Sequence, residues 1–139
     1  MRAPAAVALF LAASMPLSAT AYARAQPADS RISDTWVLRE IDGRPAVADA
    51  KTTMRVSEGR ITGSGGCNSY SGLGRIADGR VSVGLLAMTK MGCEPDVLEQ
   101  EARFASALPA SVRYEIDPSG VMRVYDAQGR LTMRLTRAR

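Results

Sequence analysis

Short stretches in which every second residue is apolar, each closed by a glycine-containing turn, recur from Thr35 to the end of this chain, and no other feature restricts its possible folds as strongly. In TWVLRE, Trp36 and Leu38 share one face while Val37 and Arg39 take the other, and Asp42-Gly43 follows as a turn. TMRVSE repeats the pattern with Met54 and Val56 inward, and Glu58-Gly59 leads into RITGSGG. YSGLGRI and RVSVGLL flank Ala77-Asp78-Gly79 as a hairpin with Val81, Val83 and Leu85 on one face. The last third is a meander: Val112, Tyr114 and Ile116 point inward, Pro118-Ser119-Gly120 turns the chain, and a Gln128-Gly129 turn precedes the inward set Leu131, Met133 and Leu135. Side chains alternate across a strand, so this period of two predicts seven or eight half-buried strands.

One segment breaks the period. Pro95 stands at a first helical turn with Glu94 and Asp96 supplying negative charge near the N-terminal dipole. Val97, Leu98, Glu101, Phe104, Ala105 and Leu108 follow helical spacing, and Pro109 is expected to stop the helix. Short antiparallel strands with one helix predict a mainly β (α+β) fold, a small, incompletely closed antiparallel β-barrel plugged by that helix.

The N-terminus has a different character. Arg2 is followed by an apolar run from Ala5 to about Ala13 and by small residues ending in Ala23-Arg24-Ala25. The run is shorter than the roughly 20 residues that cross a bilayer, so residues 1–25 are expected to be a secretory signal peptide cleaved after Ala23 or Ala25. Residues 26–34, QPADSRISD, carry no period and read as a flexible lead-in to a domain spanning 35–139. No cysteine stands near the cleavage site to accept lipid, so the expected product is periplasmic, unanchored and monomeric, without a transmembrane segment. Losing Arg2 and Arg24 lowers the formal charge from +4 to +2. The arginines of the last third alternate with apolar residues and read as a solvated strand face, and no nucleic-acid partner is expected.

The chain contains no histidine. Serine- and cysteine-based catalysis with an imidazole base is therefore excluded, as is any metal site built on imidazole ligands. No cofactor or metal set is apparent, and the glycine-rich stretch GSGGCNSYSG, Gly63 to Gly72, is the place where chemistry could still reside. A phosphate loop would need a helix after the glycines, but strand-like residues follow, and Asn68 occupies the last glycine position of a dinucleotide fingerprint. A nucleophilic Cys67 would need a base; Lys90, Glu94 or Glu99 are the candidates for assisting it. A structural reading fits better: in an oxidising compartment the two cysteines pair as Cys67–Cys93, pinning the glycine corner to the start of the helix.

ITGSGGCNSYSG, then MTKMGCEPDVLEQEARFASAL, with Trp36-Val37-Leu38 ahead and YDAQGRLTMRL at the end, resembles the META/HslJ domain family of bacterial envelope and protozoan proteins, from about Thr35 to Leu135. The resemblance places Gly66, Cys67, Asn68, Tyr70, Gly72, Thr89, Met91, Cys93, Glu99, Glu101 and Phe104 on motif positions whose role is unknown, and it carries no catalytic residues. It implies a barrel-like β fold with one helix, similar to secretin pilot proteins, and an association with heat-shock or envelope stress and antibiotic tolerance. The function expected on this basis is non-enzymatic binding of an unidentified envelope protein. The alternative is a carrier of a lipid or other small apolar ligand in the barrel interior.

Overall fold

A computed structural model describes residues 30–139; the expected signal peptide lies outside the described residues. The alternating segments become β1 (Thr35–Ile41), β3 (Thr53–Ser57), β4 (Arg60–Ser64), β5 (Ser69–Ala77), β6 (Arg80–Val83), β8 (Ser111–Ile116), β9 (Met122–Asp126) and β10 (Leu131–Arg137). Two short strands are added, β2 (Arg44–Pro45) beside β1 and β7 (Ala87–Met88) beside β5. Each main strand pairs antiparallel with the next, and β1 pairs with β10 from Trp36↔Arg137 to Ile41↔Met133, closing an eight-stranded barrel. The thinnest seam is β6–β8, joined at Arg80↔Arg113 and by Tyr114 N–H donating to the Gly79 carbonyl at 3.0 Å.

Eight strands leave an interior just wide enough for side chains to fill. Trp36, Met54, Ile61, Ile76, Met122, Met133 and Leu135 fill it at 0–1 % exposure, so side chains occupy the space that the ligand-carrier alternative requires. The helix α1 (Pro95–Ala110) covers one end, adding Phe104 and Leu108 to the same core. Pro109 lies in its last turn, one residue before the end, so the helix stops where the lost N–H and the clash of the proline ring with the preceding turn work against its continuation. No described helix is long and apolar enough to cross a membrane.

Four expectations need correction. Part of the lead-in is packed: a 3-10 turn at Ser30–Ile32 buries Ile32 at 1 % exposure, and Trp36 Nε1 donates to its carbonyl at 3.4 Å. Leu85 is 95 % exposed, because β6 ends at Val83 and the Gly84 N–H turns to the Leu73 carbonyl, breaking the alternation. Val112 is exposed rather than inward, because the β8–β9 register shifts between Ser111 and Arg113. A bulge of one residue sends a side chain to the other face. Leu98, on the expected helical stripe, also lies at the surface.

Candidate functional site

In an antiparallel meander, alternate connections lie at the same end, so the β2–β3 and β4–β5 loops meet the long segment that holds α1. The glycine-rich stretch is the β4–β5 loop. Gly66 adopts φ +123°, a conformation that favours glycine, and this turns the successive N–H groups of Cys67 and Asn68 toward the helix. Both donate to Glu101 Oε2, at 3.0 and 2.6 Å, while Asn68 Nδ2 donates to Glu101 Oε1 at 2.6 Å. Adjacent N–H groups of this kind make an anion-binding concavity. The loop that fails as a phosphate cradle does bind an anion, the carboxylate of the chain's own helix.

Asn68 extends the network. Its Oδ1 accepts from Thr89 Oγ1 at 2.9 Å and from Met91 N–H at 2.6 Å, and Thr89 Oγ1 accepts from Ser69 N–H at 3.2 Å. Glu101 and Asn68 are buried, and among the described residues no buried side-chain N or O lacks a partner. A second branch runs through Gln100, whose Oε1 accepts from Val47 N–H at 2.6 Å and whose Nε2 donates to Thr52 Oγ1 at 3.0 Å. Thr52 in turn donates to the Gly65 carbonyl at 2.8 Å. A Cβ on Gly65 would stand 2.7 Å from Glu101 Cγ and Oε2, so only glycine lets the carboxylate approach the loop.

The other motif positions support this knot to different degrees. Cys67 is paired with Cys93 at a Cα separation of 6.0 Å, tying the same loop to the residues just ahead of α1. With its sulfur in that bond, Cys67 offers no thiolate, and the thiol-dependent reading with Lys90, Glu94 or Glu99 falls. Tyr70 donates to the Thr53 carbonyl at 2.8 Å and packs its ring, tilted, 5.4 Å from that of Phe104; burial pushes its phenol above the ordinary value of 10.0, so it stays a neutral donor. Gly72 lets the segment around Leu85 cross β5, since a Cβ would meet the Leu85 carbonyl at 2.8 Å. Met91 contributes its backbone N–H while its side chain is exposed. Glu99 stands apart, an exposed partner of Arg103 and Arg44. Surface pairs of this kind contribute little.

Sequence reasoning missed Gln100, Thr52 and Gly65. The one signal available was Glu101 itself, an acid at an apolar position of the helical stripe. Chemically, the knot is saturated: the acceptors of Glu101 and Asn68 that the loop reaches are taken by donors of the chain, so these two side chains are committed to holding the loop on the helix.

The family model of the META domain matches residues 30–139. No curated protein gives a match. Two structures solved by NMR are similar. One is 24 % identical with a TM-score of 0.60, covering 76 % of this chain and 89 % of its own. The other, a protein from Burkholderia xenovorans, is 23 % identical with a TM-score of 0.60, covering 89 % of this chain and 99 % of its own. At these identities the likeness concerns the fold alone.

Proposed function

The chain belongs to the META domain family, and from that premise we propose that it is an exported, non-enzymatic protein of the bacterial envelope that acts by binding another envelope protein under heat or antibiotic stress. The observation that carries this reading is the inward commitment of the motif. Asn68, Glu101 and Thr89 are spent on one another and on backbone groups, so the family signature builds a rigid end to the barrel. With the interior filled by side chains, recognition falls to the outer surface. There the two most exposed large apolar side chains among the described residues, Leu85 and Leu73, lie on adjoining segments linked by the Gly84 N–H to Leu73 carbonyl bond of 2.9 Å. The Cys67–Cys93 disulfide suits an oxidising compartment.

Two measurements test the proposal together. A photo-crosslinker placed at Leu85 in cells should capture one defined envelope protein, while the same group at the exposed Gln128 should not. Deletion of the gene should lower survival after heat or antibiotic challenge, and a Leu73→Ser/Leu85→Ser variant should fail to restore it. A deletion strain indistinguishable from its parent, with no crosslink specific to Leu85, would refute the reading.

A further inference from the structure

The barrel end away from α1 holds the β3–β4, β5–β6 and β8–β9 turns together with the start of β1 and the finish of β10. Here the tip of the β8–β9 turn and the edges of β1 and β10 leave an open cleft of about 600 Å³, walled by Arg39, Thr136, Arg137, Arg139, Ser119 and Gly120. Three guanidinium groups line it and no acidic side chain does. Arg137 is partly neutralised by Asp34, 2.9 Å away. Asp117, at the foot of the turn, is committed to Arg123 at 3.0 Å and to Ser119 and Val121. Arg39 and Arg139 have no acidic partner among the described residues.

Arg39 is also held in place. The β1–β10 register shifts between Leu38 and Glu40, and Arg39 sits in that irregularity, where bulges characteristically re-aim a side chain. Its Nε donates to Thr136 Oγ1 at 2.7 Å, which orients the guanidinium, and among the described residues its two terminal amino groups have no hydrogen-bond partner. Arg55, Arg60, Arg75 and Arg80 add positive charge near the same end, against Glu58 and Asp78. A planar, permanently charged fork that is already oriented matches the oxygens of a phosphate group, and three guanidinium groups around one cleft suit an anion with more than one charge.

We infer that the cleft walled by Arg39, Arg137 and Arg139 binds a phosphate-bearing anion, either the headgroup of an anionic lipid or a free phosphorylated small molecule. The inference stands on its own and does not depend on the protein-binding reading, which concerns Leu73 and Leu85.

The test uses the oxidised protein purified after export. Pyrophosphate titrated at low salt and followed by amide NMR should shift Ser119, Gly120, Arg39 and Thr136. Arg39→Gln/Arg139→Gln should weaken the apparent affinity about tenfold or more, the effect of losing hydrogen bonds to a charged group. Lys51→Gln/Lys90→Gln removes the same net charge elsewhere and should change affinity less than about twofold. In parallel, flotation with vesicles of phosphatidylglycerol in phosphatidylcholine, against phosphatidylcholine alone, identifies the source. Binding to the anionic vesicles that the arginine pair abolishes assigns a lipid headgroup, whereas arginine-dependent binding of pyrophosphate without vesicle binding assigns a free phosphorylated ligand. The inference is overturned if neither probe binds, or if both charge-matched pairs weaken binding equally.

Discussion

Exchanging Glu101 for glutamine preserves its shape but turns one acceptor into a donor, and the knot at the helix-covered end has no place for that donor. If the glutamine oxygen keeps the N–H groups of Cys67 and Asn68, its NH2 faces Asn68 Nδ2, donor against donor. Rotating the Asn68 amide relieves that clash but sets Nδ2 against the Met91 N–H, which now donates to Oδ1. Hydrogen bonds to a charged group contribute about 1.5–3 kcal/mol, and an unsatisfied buried donor costs about 1–3 kcal/mol. Part of this is offset because a buried charge no longer has to be desolvated. A net loss of about 3 kcal/mol is expected, a large share of the 5–15 kcal/mol typical of a domain. In urea melts of the oxidised protein the midpoint should fall by about 1–3 M.

The second substitution makes the argument specific. In Glu101→Gln/Asn68→Asp the glutamine NH2 meets a carboxylate oxygen, while the other carboxylate oxygen takes the Thr89 hydroxyl and the Met91 N–H, so every donor again has an acceptor. The double variant should regain about 2 kcal/mol or more relative to the sum of the single losses, a coupling that neighbouring groups in one network show. A Glu101→Gln loss under about 0.5 kcal/mol, or strictly additive losses, would refute the account of the knot.

Replacing Cys67 or Cys93 with serine should lower stability by about 3–4 kcal/mol for a bridge of sequence separation 26, and replacing both should cost the same as one; denaturant melts with and without reductant check this. Phe104→Ala, which empties a fully buried site against Tyr70, should cost about 3–5 kcal/mol in the same assay. Gly65→Ala should cost about 1–3 kcal/mol, and combining it with Glu101→Ala, which removes the group it strikes, should give less than the summed loss. The Arg130 backbone N–H, followed by its side chain, holds the Asp126 carboxyl below its ordinary 3.8; Ser119 and Val121, with Arg123, do the same for Asp117. A depressed carboxylate pKa contributes stability above the unfolded value that is lost as pH falls through the folded one. The melting temperature of Asp126→Asn should therefore lie below wild type at neutral pH and converge with it in acid below about 3.8, as thermal melts across pH would show.

The disulfide and the place of Glu101 on an apolar helical face are the parts of the site legible in the sequence. Two cysteines in a chain expected to be exported have one simple pairing, and an acid inside an apolar stripe asks for a buried partner. Its actual partners, the N–H groups at 67 and 68, could not be read, because any backbone N–H is a possible donor and side-chain patterns do not say which one a loop presents. Thr52 and Gln100 gave no warning for the same reason: each is an ordinary polar residue until Gly65 and Val47 are brought against them.

The amino-acid sequence by itself determined the elements that local rules govern: the period-2 strands around Trp36, Met54, Ile61 and Met133, the turns at Asp42-Gly43, Glu58-Gly59 and Asp78-Gly79, and a helix opened by Pro95. These follow from steric preferences acting within a few residues. The tertiary structure alone decided the closure of β1 on β10, the burial of Ile32, the exposure of Leu85 and Val112, and the gathering of Arg39, Arg137 and Arg139 around one cleft. Each of these depends on register between segments far apart in the chain. A shift of one residue at a bulge reverses which side chains face the core, and alternation along a single strand carries no record of its neighbour's register.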